Sequence, residues 1–329
     1  MIQLEGKRLP PIAGYSVLSV LLLISAAFGL FTGDVKIPIE SLLNMLTIGP
    51  LGKTEDIFLQ SVVWQIRFPR VLAAIISGAI LAASGVAFQS ALRNPLAEPY
   101  TLGVASGAAF GAACAIVAGL PFVNTAAFAG SLSTLFIVWV LGERKNDPDI
   151  SRIILAGVIV SSILGAALTF LKALAGDKVS AIVIWLMGSF SAASWLDAMP
   201  MTLGLFVMLI FCVSNLNEMD IMASGANAAS LGLNLSQRRI MILGSASFSV
   251  SFVVSRFGII GFIGLVVPHI LRILFGPEHR ILIPLSLIGG GALLCAADAV
   301  AKSWNELPAG VLTVLIGGPV FCAILWNRS

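Results

Sequence analysis

Apolar residues occupy this chain in long blocks separated by short polar segments. The blocks fall at about residues 12–32, 71–92, 100–120, 122–142, 152–171, 197–216, 238–255, 258–274, 281–299 and 308–326. A helix of about 20 apolar residues crosses a hydrocarbon core of about 30 Å, so each block predicts a membrane-spanning helix. A shorter block at about 180–191 is too short to cross and predicts a half-helix or surface helix. The eighth block is interrupted by Pro268, and non-ideal backbone at that depth requires surrounding protein or a water-filled cavity. The pattern specifies an all-α polytopic membrane protein of about ten transmembrane helices. No segment stands apart as a second domain, so residues 1–329 read as one membrane domain.

Composition strengthens this picture. Of 329 residues 58% are hydrophobic and 11% charged, against about 25% charged in soluble domains. The 32 glycines suit close approach between membrane helices. Cys114, Cys212, Cys295 and Cys322 all lie inside apolar blocks, form no CxxC pair, and read as small buried hydrophobes. Lys7 and Arg8 ahead of an apolar run ending in "SAAFG" resemble a signal peptide, but the run is taken as a retained span.

Charge sets the expected orientation. With the N-terminus inside, 11 of the 19 lysines and arginines fall on inner segments and 8 on outer ones. Basic residues favour the cytoplasmic side, so an N-in, C-in topology is expected. Arg67 and Arg70, in "RFPR", are then among the exceptions held outside. The net charge of +3 adds little.

Catalytic motifs are sparse. The two histidines, His269 and His279, have no metal-ligand spacing, and no serine sits in a GxSxG elbow. "GPLGKT" ends like a phosphate-binding loop, but Thr47 stands where the pattern needs its first glycine. The chain is therefore expected to be no enzyme and to hold no cofactor or metal. Ionisable groups at mid-membrane, which ion-coupled transport needs, are few. Asp298 and Lys302 lie four residues apart near one end of the ninth span, where they can pair on one helix face. Energy for transport would then come from another subunit. An ion-coupled transporter or exporter without an ATPase partner, and a membrane receptor that moves nothing, are the rival classes.

Seven blocks in order carry a more specific signal. They are "RFPRVLAAIISGAILAASGVAFQSALRNPLAEPYTLGVASGA", "SRIILAGV", "WLMGSF", "SLGLN", "GIIGFIGLVVPHILR", "ADAVAK" and "ELPAGVLTVLIGGPVF". Together, from about Trp64 to the C-terminus, they resemble the permease subunits of bacterial ABC importers for iron chelates, haem and cobalamin. The resemblance implies a homodimer in a bacterial or archaeal cytoplasmic membrane. It also implies two cytoplasmic ATPases, which bind the ATP and magnesium, and a periplasmic binding protein that delivers the substrate. Nucleic acid has no place in this scheme.

Residue roles follow from that resemblance. Arg67 and Arg70 match positions that dock carboxylates of the binding protein, a task suited to the planar guanidinium fork. Interfacial anchoring beside lipid headgroups is the rival role. Lys302 matches a third docking arginine, although pairing with Asp298 competes. Gly157, Ser161, Gly165 and Thr169 recur every four residues and form one small, partly polar stripe. The stripe is either a helix-packing seam or the pathway wall that this helix forms in the family. Ile150 and Ser151 match the cytoplasmic gate, or else begin an ordinary helix. The polar segment 217–239 matches the ATPase coupling region, with Ser224, Gly225, Ala228, Leu231 and Gly232 as its candidate contacts. His269 and the "NPLAEP" turn are expected to be structural.

Overall fold

A computed structural model describes residues 9–50, 52, 56–142, 150–224 and 235–326. Fourteen α-helices appear among them. In chain order they are α1 (Pro11–Phe31), α2 (Ile39–Ile48), α3 (Ile57–Ser61), α4 (Phe68–Ala91), α5 (Val104–Ala118), α6 (Val123–Gly142) and α7 (Ile150–Leu174). There follow α8 (Val179–Leu186), α9 (Ala198–Ser214), α10 (Leu216–Ser224), α11 (Leu235–Phe257), α12 (Ile263–Phe275), α13 (His279–Ser303) and α14 (Ala309–Trp326). Each of the ten expected spans coincides with one of these helices, and the short block at 180–191 is α8. Seven helical segments among the described residues are long and apolar enough to cross a membrane, and α5, α12 and α14 supply shorter apolar helices.

The core is built around α4. A π-helical turn over Val62–Arg67 runs straight into it, and Pro69 sits in its first turn, where a missing N–H costs least. Every residue from Ser77 to Ala91 is buried. This is possible in a sequence rich in Ala, Gly and Ser because small side chains bring helix backbones into contact. A Cβ at Gly78 would lie 2.2 Å from the Gly290 carbonyl oxygen of α13, and one at Gly85 would lie 1.8 Å from that of Gly264 in α12. Helices α13, α12, α11 and α9 therefore pack directly against α4. By contrast α7 and α9 leave large apolar side chains such as Ile163, Phe170, Met199 and Phe206 outside.

The eighth span departs from expectation. Pro268 lies inside the continuous helix α12 and does not break it. The irregular backbone comes earlier, where Gly258 and Phe262 adopt positive φ of 74° and 69°. Proline cannot donate to the carbonyl four residues before it, here that of Gly264. The Gln89 side-chain amide of α4 donates to that oxygen instead, at 3.3 Å. A side chain from a neighbouring helix thus supplies the bond the proline cannot make.

Candidate functional site: two polar junctions at opposite ends of the bundle

The first junction gathers the end of α1, the start of α4 and the end of α13. The Arg67 guanidinium is buried and donates to the carbonyls of Leu30 (2.7 Å), Phe31 (3.2 Å) and Val35. It thereby satisfies acceptors at the C-terminal end of α1, which the helix itself leaves open. Arg70 binds Asp298 through both oxygens, Nε to Oδ2 at 2.8 Å and Nη2 to Oδ1 at 3.1 Å. Its Nη1 reaches Glu306 Oε2 at 2.7 Å. Arg70 and Asp298 are both about 5% exposed, whereas the Glu306 side chain is 41% exposed. Glu306 reaches its partner from a tight turn in which Asn305 and Glu306 have φ of 52° and 55°. Lys302 is buried beside them and packs with Arg67 over Gly33. Asp34 lies close enough to act electrostatically on Arg67. Three cations and three carboxylates balance.

The three positions matched to binding-protein docking thus lie together at one end of the bundle. Arg67 and Arg70 spend their donors within the chain, and Lys302 lies below the surface. Asp298 gives its oxygens to Arg70 and not to Lys302, because the bidentate guanidinium fits a carboxylate better than an ammonium four residues along the same helix. Nearby, Trp64, Phe68 and Trp195 stack with centroid separations of 4.9 and 5.5 Å, a cluster suited to the interfacial belt of a membrane.

The stripe on α7 divides in two. Gly157 is a packing position, since a Cβ there would meet the Thr101 carbonyl oxygen at 2.5 Å. Ser161 is half-buried against Gly103. Gly165 and Thr169 are exposed, and nothing lies within 4 Å of a Cβ built on Gly165. At the start of the same helix Ile150 is half-buried against the core and Ser151 is exposed.

The second junction lies at the other end of α4 and α13, where α10 and the start of α11 meet them. Arg93 Nε donates to the Met222 carbonyl at 2.9 Å, and Arg239 Nε to that of Ala91 at 2.9 Å. Arg238 reaches Asn215 Oδ1 at 3.1 Å. Met219 and Met222 anchor α10 in the apolar core. His279 is buried, with Nδ1 2.5 Å from Asp220 Oδ1 of α10 and Nε2 against the Ser90 hydroxyl of α4. Ser224 ends α10 on the surface, its hydroxyl donating to the Ile221 carbonyl at 2.9 Å. Gly225, Ala228, Leu231 and Gly232 lie outside the described residues. Sequence reasoning missed Ser90, Asp220 and His279. The available signal was an adjacent Gln89–Ser90 pair near the end of a largely apolar helix.

With this geometry in place, comparison with known proteins is specific. Residues 21–327 match the family model for the FecCD transport family. The chain is 37% identical to an uncharacterized ABC transporter permease protein, YvrB, of Bacillus subtilis, over 95% of this chain and 92% of that one. It is 39% identical to the cobalamin import system permease protein BtuC of Halobacterium salinarum, over 82% of this chain and 74% of that one. It is 35% identical to the hemin transport system permease protein HmuU of Yersinia pestis, over 80% of this chain and 82% of that one. Among solved structures, a metal-chelate type ABC transporter in an inward-facing conformation superposes with a TM-score of 0.81 at 30% identity, covering 97% of this chain and all of the other. The chain belongs to the FecCD transport family, the membrane-spanning, non-catalytic permease subunits of ABC importers of the metal-chelate, haem and cobalamin type.

Proposed function

We propose that this chain carries a bulky metal chelate, such as an iron–siderophore, haem or cobalamin, inward across the cytoplasmic membrane by alternating access. It does so as a homodimer with two cytoplasmic ATPases and an external binding protein. The observation that carries this reading is the full-length likeness to a metal-chelate transporter. The free outer half of α7 supports it: Gly165 and Thr169 present a small, weakly polar surface that a second copy can face across a wide pathway. The charge count favours N-in, C-in, which puts the Arg70 junction outside and the His279 junction inside.

On this orientation Ile150 and Ser151 stand at the inner mouth, where an apolar side chain can close a pathway by excluding water. Segment 217–239 faces the ATPase, with α10 as its first helix and Ser224 leading into the contact region. The binding protein docks on the outer rim. Buried Arg67, Arg70 and Lys302 shape that rim from beneath, while Trp304, Glu306 and Leu307 form its exposed face. Asp197 and Asp298, the most deeply buried acids among the described residues, are each held by an arginine, which favours an external energy source over ion coupling.

The test is uptake into proteoliposomes holding the assembled complex, with cyanocobalamin, hemin and a ferric hydroxamate as probes. Uptake of one probe should require internal ATP and external binding protein. Uptake that needs neither overturns the proposal.

A further inference from the structure

Asp220, His279 and Ser90 form one hydrogen-bonded chain across three helices, α10, α13 and α4. Besides the contact at Nδ1, the His279 backbone N–H reaches Asp220 Oδ1 at 3.2 Å. Side-chain exposure of His279 is 1% and of Asp220 38%, so the chain runs from the solvated face of α10 into the core. Serine, histidine and aspartate in this order resemble a hydrolytic triad. Here, however, Ser90 is about 1% exposed and its hydroxyl also lies 2.8 Å from the Val86 carbonyl, which leaves no room for a substrate.

Two protonation patterns keep the chain whole. In neutral imidazole Nδ1–H donates to Asp220 and Nε2 accepts from Ser90. In imidazolium Nε2–H donates to Ser90, whose proton turns to Val86. Arg272 of α12 is the charged neighbour from the other side, and Glu278 and Arg280 flank His279 in sequence. The link therefore survives either charge state of the ring.

What the chain joins gives it meaning. Among the described residues α10 follows α9 through a non-helical joint at Asn215 with φ −125° and ψ 24°. The side-chain route connects α10 to α4 and α13. Those two helices touch at Gly78 and Gly290 and are tied again at the far end by Arg70 and Asp298. From Ser90 to Arg70, and from His279 to Asp298, each helix runs about 30 Å at 1.5 Å per residue. The pair forms a bar fastened at both ends.

We propose that the Asp220–His279–Ser90 chain is the tie through which movement of α10 drives the α4–α13 bar. All three are positioning residues, and the ATPase-facing segment thereby shifts the outer rim. This rests on the functional reading above, in which the segment after α10 meets the ATPase.

The experiment uses the full permease assembled with its ATPase in nanodiscs. Spin labels enter as non-canonical amino acids at Ser224, at the exposed end of α10, and at Trp304, at the exposed rim. Distances between the two copies are measured by pulsed EPR without nucleotide and with MgATP plus vanadate. In the unmodified background both label pairs should shift. In Asp220→Ala the Ser224 shift should persist, while the Trp304 shift falls by more than half. Asp220→Glu should recover part of it. Ser90→Ala, which cuts the inner link alone, should show the same split and serves where Asp220→Ala fails to assemble. A Trp304 shift that survives undiminished in both alanine variants overturns the tie. If the unmodified permease neither binds an ATPase nor responds to nucleotide, the functional reading itself falls.

Discussion

Removing Asp298 tests the Arg70 junction most directly. Asp298→Ala strips two charge-assisted hydrogen bonds from a guanidinium about 5% exposed and leaves the junction with three cations against two carboxylates. Breaking a buried pair by deleting one partner costs about 3–5 kcal/mol, because the surviving charge stays desolvated. Glu306 cannot make up the loss, since its one contact with Arg70 is at Nη1 and its side chain is 41% exposed. Exposed pairs are worth only about 0–1 kcal/mol, so Glu306→Gln should cost less than about 1 kcal/mol. Unfolding of the detergent-solubilised chain by titration with dodecyl sulfate, followed by tryptophan fluorescence, gives the differences. Arg70→Met combined with Asp298→Leu supplies the control. Removing both charges leaves neither unpaired, so the double variant should be more stable than Asp298→Ala alone. A loss below about 1 kcal/mol for Asp298→Ala, or a double variant worse than the single one, refutes the account of the junction as a buried, mutually dependent pair.

Other perturbations give equally definite outcomes. Gly78→Ala forces a Cβ onto the Gly290 carbonyl and should cost about 1–3 kcal/mol by the same titration, with less loss where Gly244, which has open space around it, is changed to Ala. Gln89→Leu orphans the Gly264 carbonyl and should cost about 1–3 kcal/mol; adding Pro268→Ala restores a backbone donor and should recover part of it. Burial holds the Glu98 carboxyl above its ordinary range, against a hydrogen bond from the Phe262 backbone that lowers it. An acid shifted upward loses stability as pH rises from its unfolded value, so Glu98→Gln should raise the melting temperature at pH 7 and change it little at pH 4.

The helical bundle was legible because long apolar blocks have few other solutions in a membrane, and α1, α6, α7 and α13 lie close to where the hydropathy pattern places them. The interruption in the eighth span was misplaced at Pro268 because sequence shows the missing N–H but not Gln89, 175 residues from Gly264, which answers for it. Arg67 and Arg70 were recognisable as charges needing a purpose. Their partners were not, since the α1 carbonyls carry no side-chain signature and Asp298 lies 228 residues away. The α7 stripe was half legible: its regular spacing hides the difference between Gly157, packed on Thr101, and Gly165, packed on nothing. His279 gave no sign, because a lone histidine at a helix start is unremarkable until a three-dimensional fold brings Asp220 and Ser90 to it.

The wide separation of Arg70 and Asp298 also has a meaning in time. Chains lengthen by about 5–20 residues per second during synthesis. The 228 residues between the two partners therefore represent roughly 10–45 s in which the arginine exists and its carboxylate does not. Through that interval α4 must hold its guanidinium toward the water interface, which the arginine's place in the first turn allows. Arg67, whose acceptors were made before it, has no such wait. Helix α1 can therefore join α4 early, whereas closure of the bundle around α4 becomes permanent only when α13 arrives and the last charges meet.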